Sequence, residues 1–242
     1  EQDESFRYNM ARDGHLSNSL LITNFYQQSS TRNFNLRSTI EPIRNFRINL
    51  TFEQTFSDNE QGQFRFDTTD NFNDFRDLSS NQTGTFSSTY VFIRTAFEAA
   101  GNSSNDYASD AFTEFLNNRF TISQRLQNED TRVAGTGRDT INGYPLGYGK
   151  TSQSMYYINF LQSYAGKDVN NARLSPFIRF PLPSWNINYN GLSKIESIKK
   201  IFSNIAITHS YTGRYTIGGY NGVDALYKVD TFGHGQSYDP DI

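Results

Sequence analysis

The sequence predicts an all-β-dominated chain, an antiparallel strand meander with two inserted helices, and three observations carry that expectation. In Asn45 to Phe56, Phe46, Ile48, Leu50 and Phe52 alternate with Arg47, Asn49, Thr51 and Glu53. Strand side chains point to opposite faces with period two, so one face of this segment is apolar and the other wet. The pattern returns in Phe202 to Tyr220. There Ile205, Ile207, Tyr211, Tyr215 and Ile217 share one face, and Asn204, Thr208, Ser210, Thr212, Arg214 and Thr216 take the other. The third observation is composition: mean hydropathy is −0.66, yet aromatic residues reach 15%, with 21 Phe and 15 Tyr. A disordered chain would lack those rings, and a helical membrane protein would need apolar runs of about 18 residues, which the sequence does not contain. A barrel wall needs only every second residue to be apolar. Both segments exceed the roughly 9–11 residues with which a tilted strand crosses a bilayer. Periodicity alone leaves two architectures open, a transmembrane β-barrel wall and a soluble β-sandwich with one solvated face.

Taken in order, Leu20 to Gln27 and Asn33 to Glu41 read as short strands, the second with Phe34, Leu36 and Ile40 on one face, interrupted by Pro42. The long strand Asn45 to Phe56 follows. Ser57 to Ser80 is rich in Asp, Asn, Gln and Ser and suits an external loop or extended hairpin. Gly84 to Phe97 reads as another strand. Helical spacing then takes over: Phe112, Phe115, Leu116 and Phe120 predict a helix over Ser109 to Leu126, with Ser109 or Asp110 at its N-cap. Tyr157, Phe160, Leu161 and Tyr164 predict a second over Ser152 to Ala165, stopped by Gly166. Between them Asn128 to Lys150 reads as loop. Pro176, Pro181 and Pro183 forbid a central strand through Leu174 to Ser184. Trp185, Ile187 and Tyr189 resume alternation, Asn190-Gly191 signals a turn, and the tail after Gly222 reads as weak strand and then loop.

Net charge is −3 without a dense basic block, which disfavours nucleic-acid partners. The absence of Cys excludes disulfides and thiolate chemistry. The chain opens Glu-Gln-Asp-Glu-Ser without Met or an apolar leader, so it reads as a piece of something longer.

From Gly84 to about Gly222 a series of motifs stands in order. It runs Tyr90-Val-Phe-Ile-Arg-Thr-Ala-Phe97, then Ala111-Phe-Thr-Glu-Phe-Leu-Asn-Asn-Arg119, in which Phe112, Phe115, Asn118 and Arg119 fall. Next come Gly147-Tyr-Gly-Lys-Thr-Ser-Gln153, with Gly149, Thr151, Ser152 and Gln153, and Phe160-Leu-Gln-Ser-Tyr-Ala-Gly-Lys-Asp168, with Tyr164, Gly166 and Asp168. The most specific is Phe180-Pro-Leu-Pro-Ser-Trp-Asn-Ile-Asn-Tyr-Asn-Gly-Leu-Ser-Lys194. It holds Pro181, Pro183, Trp185, Tyr189, Gly191, Leu192, Ser193 and Lys194, and is followed by Lys199-Lys200-Ile-Phe202 and His209-Ser-Tyr211. This series resembles the C-terminal part of the SprA/Sov family, the outer-membrane translocon of the type 9 secretion system in Bacteroidota, which also supports gliding motility. Met155-Tyr-Tyr-Ile-Asn159 departs from the family's more aliphatic second helix. The resemblance implies that the whole chain is a partial barrel domain of a very large single-chain barrel, of the class with roughly 36 strands. It further implies localisation in the outer membrane at the cell surface, and passage of secreted protein cargo. By resemblance the partners are a plug protein, a small outer-membrane barrel and the lipid bilayer. Phe46, Ile48, Leu50, Phe52, Ile205, Ile207, Tyr215 and Ile217 are then the residues expected to face lipid.

Sharper chemistry finds little support. Asp110, Glu114, Glu129, Asp130, Asp139 and Asp168 include no pair singled out by spacing for acid–base work. His15, His209 and His234 lack companions at metal-ligand spacing. Gly143 to Gly149 lacks the ending of a phosphate loop, and the triplets at Asn49, Asn81 and Asn102 are expected by chance in so Asn-rich a chain. No enzyme activity, metal or cofactor is expected. Trp185 with Tyr189 and Tyr211 reads either as part of an aromatic belt at a membrane interface or as a sugar-stacking surface.

Overall fold

The structure, a computed structural model, describes residues 5–68, 73–98, 101, 109–130, 134–138 and 142–221. Its elements are α1 (Ser5–Met10, continued by a π-turn Ala11–His15), β1 (Asn24–Ile43), β2 (Phe46–Asp67), β3 (Asp74–Thr89), α2 (Ile93–Ala96), α3 (Asp110–Glu129), α4 (Gln153–Ala165), β4 (Ser184–Tyr189), α5 (Glu196–Lys199, after a 3-10 turn Gly191–Lys194), β5 (Ile207–Tyr211) and β6 (Arg214–Asn221). The chain is β-rich, its strands form an antiparallel sheet, and among the described residues that sheet is not closed into a barrel. It divides into two units, one of residues 5–32, 57–85 and 219–221 and the other of 33–56 and 86–218, so the long strands contribute residues to both.

In the second unit β1 covers one edge of β2. The reversal between them uses Asn45 at φ 67°, a left-handed conformation that Asn tolerates better than most residues. The other edge of β2 is shared. From Phe46↔Tyr189 to Thr51↔Ser184 it pairs with β4. Two residues further on, the Glu53 backbone N–H donates to Thr89 Oγ1 at 3.1 Å, and β3 takes over. In the next row β5 pairs with β4, from Trp185↔Tyr211 to Tyr189↔Ile207, and β6 pairs with β3. Residues 90–183 are thus spliced into a single strand row, leaving after β3 and returning as β4. The neck of this insertion is tied on all sides. The Tyr90 N–H donates to Gly213 O at 3.0 Å and the Leu182 N–H to Thr89 O at 3.1 Å. The Phe92 N–H donates to Tyr211 Oη at 2.7 Å. A Cβ on Gly213 would run into the Tyr90 carbonyl, which is why glycine stands at the break between β5 and β6.

The insertion carries its own core of Ile122, Leu126, Tyr148, Met155, Ile158 and Val169. Side chains as fully buried as Ile122, Met155 and Ile158 each contribute about 1.5–3 kcal/mol. Ser109 caps α3 by accepting from the Phe112 N–H at 3.3 Å. The Glu98 carboxylate accepts from the Ser109 hydroxyl at 2.9 Å and the Ala111 N–H at 3.1 Å. Gly166 ends α4 at φ 66°, with the Lys167 N–H reaching back to Gln162 O at 2.9 Å, the glycine-stopped helix end expected of that position. Arg125 donates to the Val169 and Ala172 carbonyls and Ser123 to that of Tyr148, fixing the loops over the helices.

In the first unit α1 packs on Phe64 and Phe75 through Ala11, Tyr8 and Leu16. Arg7 pairs with Asp77 at 2.9 Å, and Arg12 grips both Asp74 oxygens. Tyr26 lies over Gly62 and donates to Glu60 Oε1 at 2.6 Å; Tyr220 lies over Gly84 and donates to Asp58 Oδ1 at 3.0 Å. A strand glycine here is the seat of a tyrosine from the neighbouring strand.

Three expectations are corrected, and one choice the sequence left open is resolved. The two short strands before Pro42 are one 20-residue strand that includes Pro42. Among the described strands β1 pairs with β2 alone, and such an edge strand is where Pro is found within sheets. Of the external loop and the extended hairpin expected for Ser57 to Ser80 the structure has the hairpin, β2 reaching Asp67 and β3 starting at Asp74. The strand expected to reach Phe97 stops at Thr89, because the chain leaves the sheet at the neck and Ile93–Ala96 turns helically. Phe202 to Tyr220 is two strands, with Ile205 before the first. The tail after Gly222, with His234, lies outside the described residues, as do Asn102 and Asp139.

Candidate functional site

The candidate site is the two-faced sheet of the second unit. Pairing puts Phe46, Ile48 and Leu50 beside Tyr189, Ile187 and Trp185, and those beside Ile207, His209 and Tyr211. Directly opposed residues of an antiparallel pair share a face, so these nine residues form one apolar, largely aromatic strip. Phe46 and Tyr189 meet edge to face at 5.7 Å, and Trp185 stacks on Tyr211 at 4.7 Å. The Trp185 indole N–H donates to His209 Nδ1 at 3.1 Å, which makes that nitrogen the acceptor. Ile207 is 51% exposed, and Phe46, Ile48, Leu50 and Ile187 are half-buried.

Further along, the same face is covered. Phe177 meets Phe56 at 5.1 Å and Phe86 at 5.4 Å, Phe180 meets Phe34 and Phe52, and Phe160 of α4 stacks against Tyr215. Tyr215 and Ile217 are 4% and 1% exposed. This corrects the lipid-facing set: Tyr215 and Ile217 are buried within the protein, Phe52 packs on Phe180, and Ile205 precedes its strand. The open members are Phe46, Ile48, Leu50 and Ile207.

The opposite face is wet and internally paired. Arg47 bonds Glu41 at 2.7 Å, and Arg214 bonds Glu53 at 2.5 Å and Ser87 at 3.0 Å, with Arg37 4.0 Å from Glu53. Thr39 donates to Asn49, Thr55 to Asn33 and Thr208 to Asn188, at 2.9, 2.9 and 3.1 Å. Exposed pairs of this kind each contribute about 0–1 kcal/mol. Their effect is to cover the face with hydroxyls, amides and neutralised charges.

The motif residues occupy joints of the insertion. Phe112 stacks on Phe115 and Phe115 on Tyr156. Asn118 Nδ2 reaches Ser163 Oγ at 3.5 Å, and Arg119 donates to Leu116 O. Gly149 O accepts the Ser152 N–H, Thr151 Oγ1 is buried without a partner, and Gln153 donates to Tyr157 Oη at 3.1 Å. Phe160 and Tyr164 stack at 4.3 Å. Asp168 accepts from the Asn170 N–H at 2.9 Å and from two asparagine side chains. Pro181 is buried and Pro183 half-buried in the neck, while Gly191, Leu192, Ser193 and Lys194 form the turn after β4. The splice itself, the feature that organises all of these, has only Gly213 and the paired prolines as sequence signals.

Among the described residues no group of three His, Asp or Glu is placed to hold a metal ion. Asp110, Glu114, Glu129 and Asp168 belong to the insertion's helices and loops, Glu114 in an ion pair with Arg94 at 2.6 Å. No described helix is long and apolar enough to cross a membrane. No protein-family model matches the chain, and no curated protein matches it.

Proposed function

We propose that this chain is part of the wall of a very large outer-membrane β-barrel that exports folded proteins, a translocon of the type 9 secretion kind that also supports gliding motility. The observation that carries this reading is the sheet with an open aromatic strip on one face and a paired, hydroxyl- and amide-rich surface on the other. A wall between lipid and a water-filled lumen needs those two surfaces back to back. The ordered motif series from Tyr90 to Tyr211 supports the same reading, since its residues build the insertion, its neck and the turn beyond β4. In this role the chain does no covalent chemistry. Secreted proteins pass along the wet face, the open strip meets the bilayer, and the insertion of residues 90–183 covers the stretch of the strip's face around Phe56, Phe86 and Tyr215. A plug protein and a smaller barrel are the partners that the resemblance supplies.

A second reading, a soluble extracellular β-rich module that binds carbohydrate, draws on the covering of Tyr215, Ile217 and Phe86 by the insertion, as in a sandwich, and on the Trp185–Tyr211 stack. Fractionation of the native gene product separates the two, with an antibody raised against residues 183–221. The translocon reading expects a very large polypeptide in the outer membrane. A band near the 27.7 kDa of this chain, in the soluble fraction, would overturn it in favour of the binding module.

A further inference from the structure

The turn between β4 and β5 continues the open strip and changes its chemistry. Residues 190–206 are held against the tip of the β1–β2 hairpin: the Asn190 N–H donates to Asn45 O at 3.0 Å, and Lys194 Nζ donates to Asn45 Oδ1 at 3.0 Å. Ser193 locks the loop on itself, donating to Ile205 O at 2.9 Å and accepting the Ile205 N–H at 3.3 Å. On this anchored frame Ile195, Ile201 and Phe202 are 46%, 77% and 51% exposed, next in sequence to Ile207, and Ile43 at the hairpin tip is 59% exposed. Exposing that much aliphatic and aromatic surface on a fixed turn costs free energy in water. The same end carries Arg44, Lys194, Lys199 and Lys200, all exposed. Its carboxylates are Glu196 and Glu41, and Glu41 is committed to Arg47 at 2.7 Å. Four cations therefore face one free carboxylate, in a chain whose net charge is −3.

We infer that this end of the sheet is an interfacial anchor. Ile195, Ile201 and Phe202 sink into the headgroup–acyl boundary while Arg44, Lys194, Lys199 and Lys200 bind the phosphates of anionic lipids. The inference rests on the wall reading, which places the adjoining strip in the bilayer. Two features select a membrane surface rather than a protein groove. The exposed turn leads directly into the strand that begins at Ile207, a member of the open strip, and lysines on that turn have stems long enough to keep their ammonium groups at the phosphate level while the stems follow the apolar side chains. Arginine and lysine near an anionic bilayer each strengthen binding by about fivefold at physiological salt.

The test uses the full chain, reconstituted from detergent into vesicles of phosphatidylcholine alone or with roughly a third phosphatidylglycerol. Because the chain has no Cys, Ile201→Cys accepts a single environment-sensitive fluorophore that reports the turn. Trp185, the one tryptophan, reports the strip independently. The anchor predicts a blue-shifted fluorophore on anionic vesicles, strengthened affinity over neutral ones, and about fivefold weaker binding for each of Lys199→Gln and Lys200→Gln, with Lys150→Gln unchanged. Equal affinity for both lipid compositions, or unchanged binding by the two lysine variants, would overturn it. Trp185 quenched by acyl-brominated lipid in those same samples would show that the failure lies with the anchor. Unquenched Trp185 would place the failure in the wall reading.

Discussion

At the scale of single residues, parity decides what a substitution does. Leu50 lies opposite Trp185 on the open strip, and its neighbour Thr51 lies opposite Ser184 on the wet face. If the strip meets lipid, Leu50→Arg places a charge in hydrocarbon and costs about 2–4 kcal/mol near the midplane. Thr51→Arg keeps its charge in water and costs much less. Barrel assembly and heat-modifiable mobility of the intact protein measure the difference, and equal behaviour of the two variants would contradict the orientation. Glycines make a second contrast. A Cβ on Gly62 would strike the Ser79 carbonyl and the Tyr26 ring, whereas a Cβ on Gly218 meets nothing within 4 Å. Gly62→Ala is expected to destabilise by about 1–3 kcal/mol through overpacking. Gly218→Ala should be neutral or stabilising by roughly 0.5–1 kcal/mol, since it narrows the unfolded chain's choices. Urea midpoints read both. The alternation of Phe46 through Glu53 made these faces legible in the sequence. The tyrosine seats were not, because Tyr26 and Gly62 are brought together only by the register of two strands.

At the scale of elements, the insertion behaves as a helical module with its own electrostatic latch. The Glu98 carboxyl is held below its ordinary range first by the Ser109 hydroxyl and then by the Ala111 N–H. Asp168 is held low by the Asn170 N–H and side chain. A carboxyl with a lower pKa folded than unfolded contributes stability above its unfolded pKa and loses it as pH falls through the folded value. The helical signal of α3 and α4 is therefore expected to be flat near neutrality and to decline below about pH 4. Glu98→Gln should shrink that acid-side decline, as followed by circular dichroism; an unchanged acid limb would contradict the latch. Both helices were legible, from the Phe112, Phe115, Leu116 spacing and from Gly166 as a stop. Strand boundaries were less so. The polar run of residues 57–80 left a loop and an extended hairpin both open, because alternation carries little contrast in so polar a stretch. Tyr90 to Ile93 read as strand because four strand-favouring residues stand in a row, whereas the structure buries Tyr90, half-buries Val91 and Phe92 and leaves Ile93 exposed.

At the scale of the whole molecule, the sequence expected a strand meander with two inserted helices, and the antiparallel sheet with α3 and α4 has that form. What pattern alone did not reveal is that one strand row is cut at Thr89 and resumed at Ser184. Beyond Gly213 and the paired prolines nothing local marks such a splice, since Thr89 and Ser184 are far apart in the chain and are aligned only by β2 as a common neighbour. The splice explains why Tyr215 and Ile217, placed by alternation on the same face as Ile207, are buried: the returning chain through Phe177 and Phe180 and the helix residue Phe160 cover that part of the face. The open strip that remains is the surface on which the membrane reading depends, and Trp185 stands on its middle strand between Leu50 and Tyr211. The most direct test is therefore the fluorescence of Trp185 in the full chain reconstituted into vesicles whose lipids carry bromine on the acyl chains. The account predicts strong quenching, deepest for bromine close to the headgroup if Trp185 belongs to the interfacial belt. Emission indifferent to bromine at every depth would contradict a lipid-facing wall and leave a water-soluble β-rich module in its place.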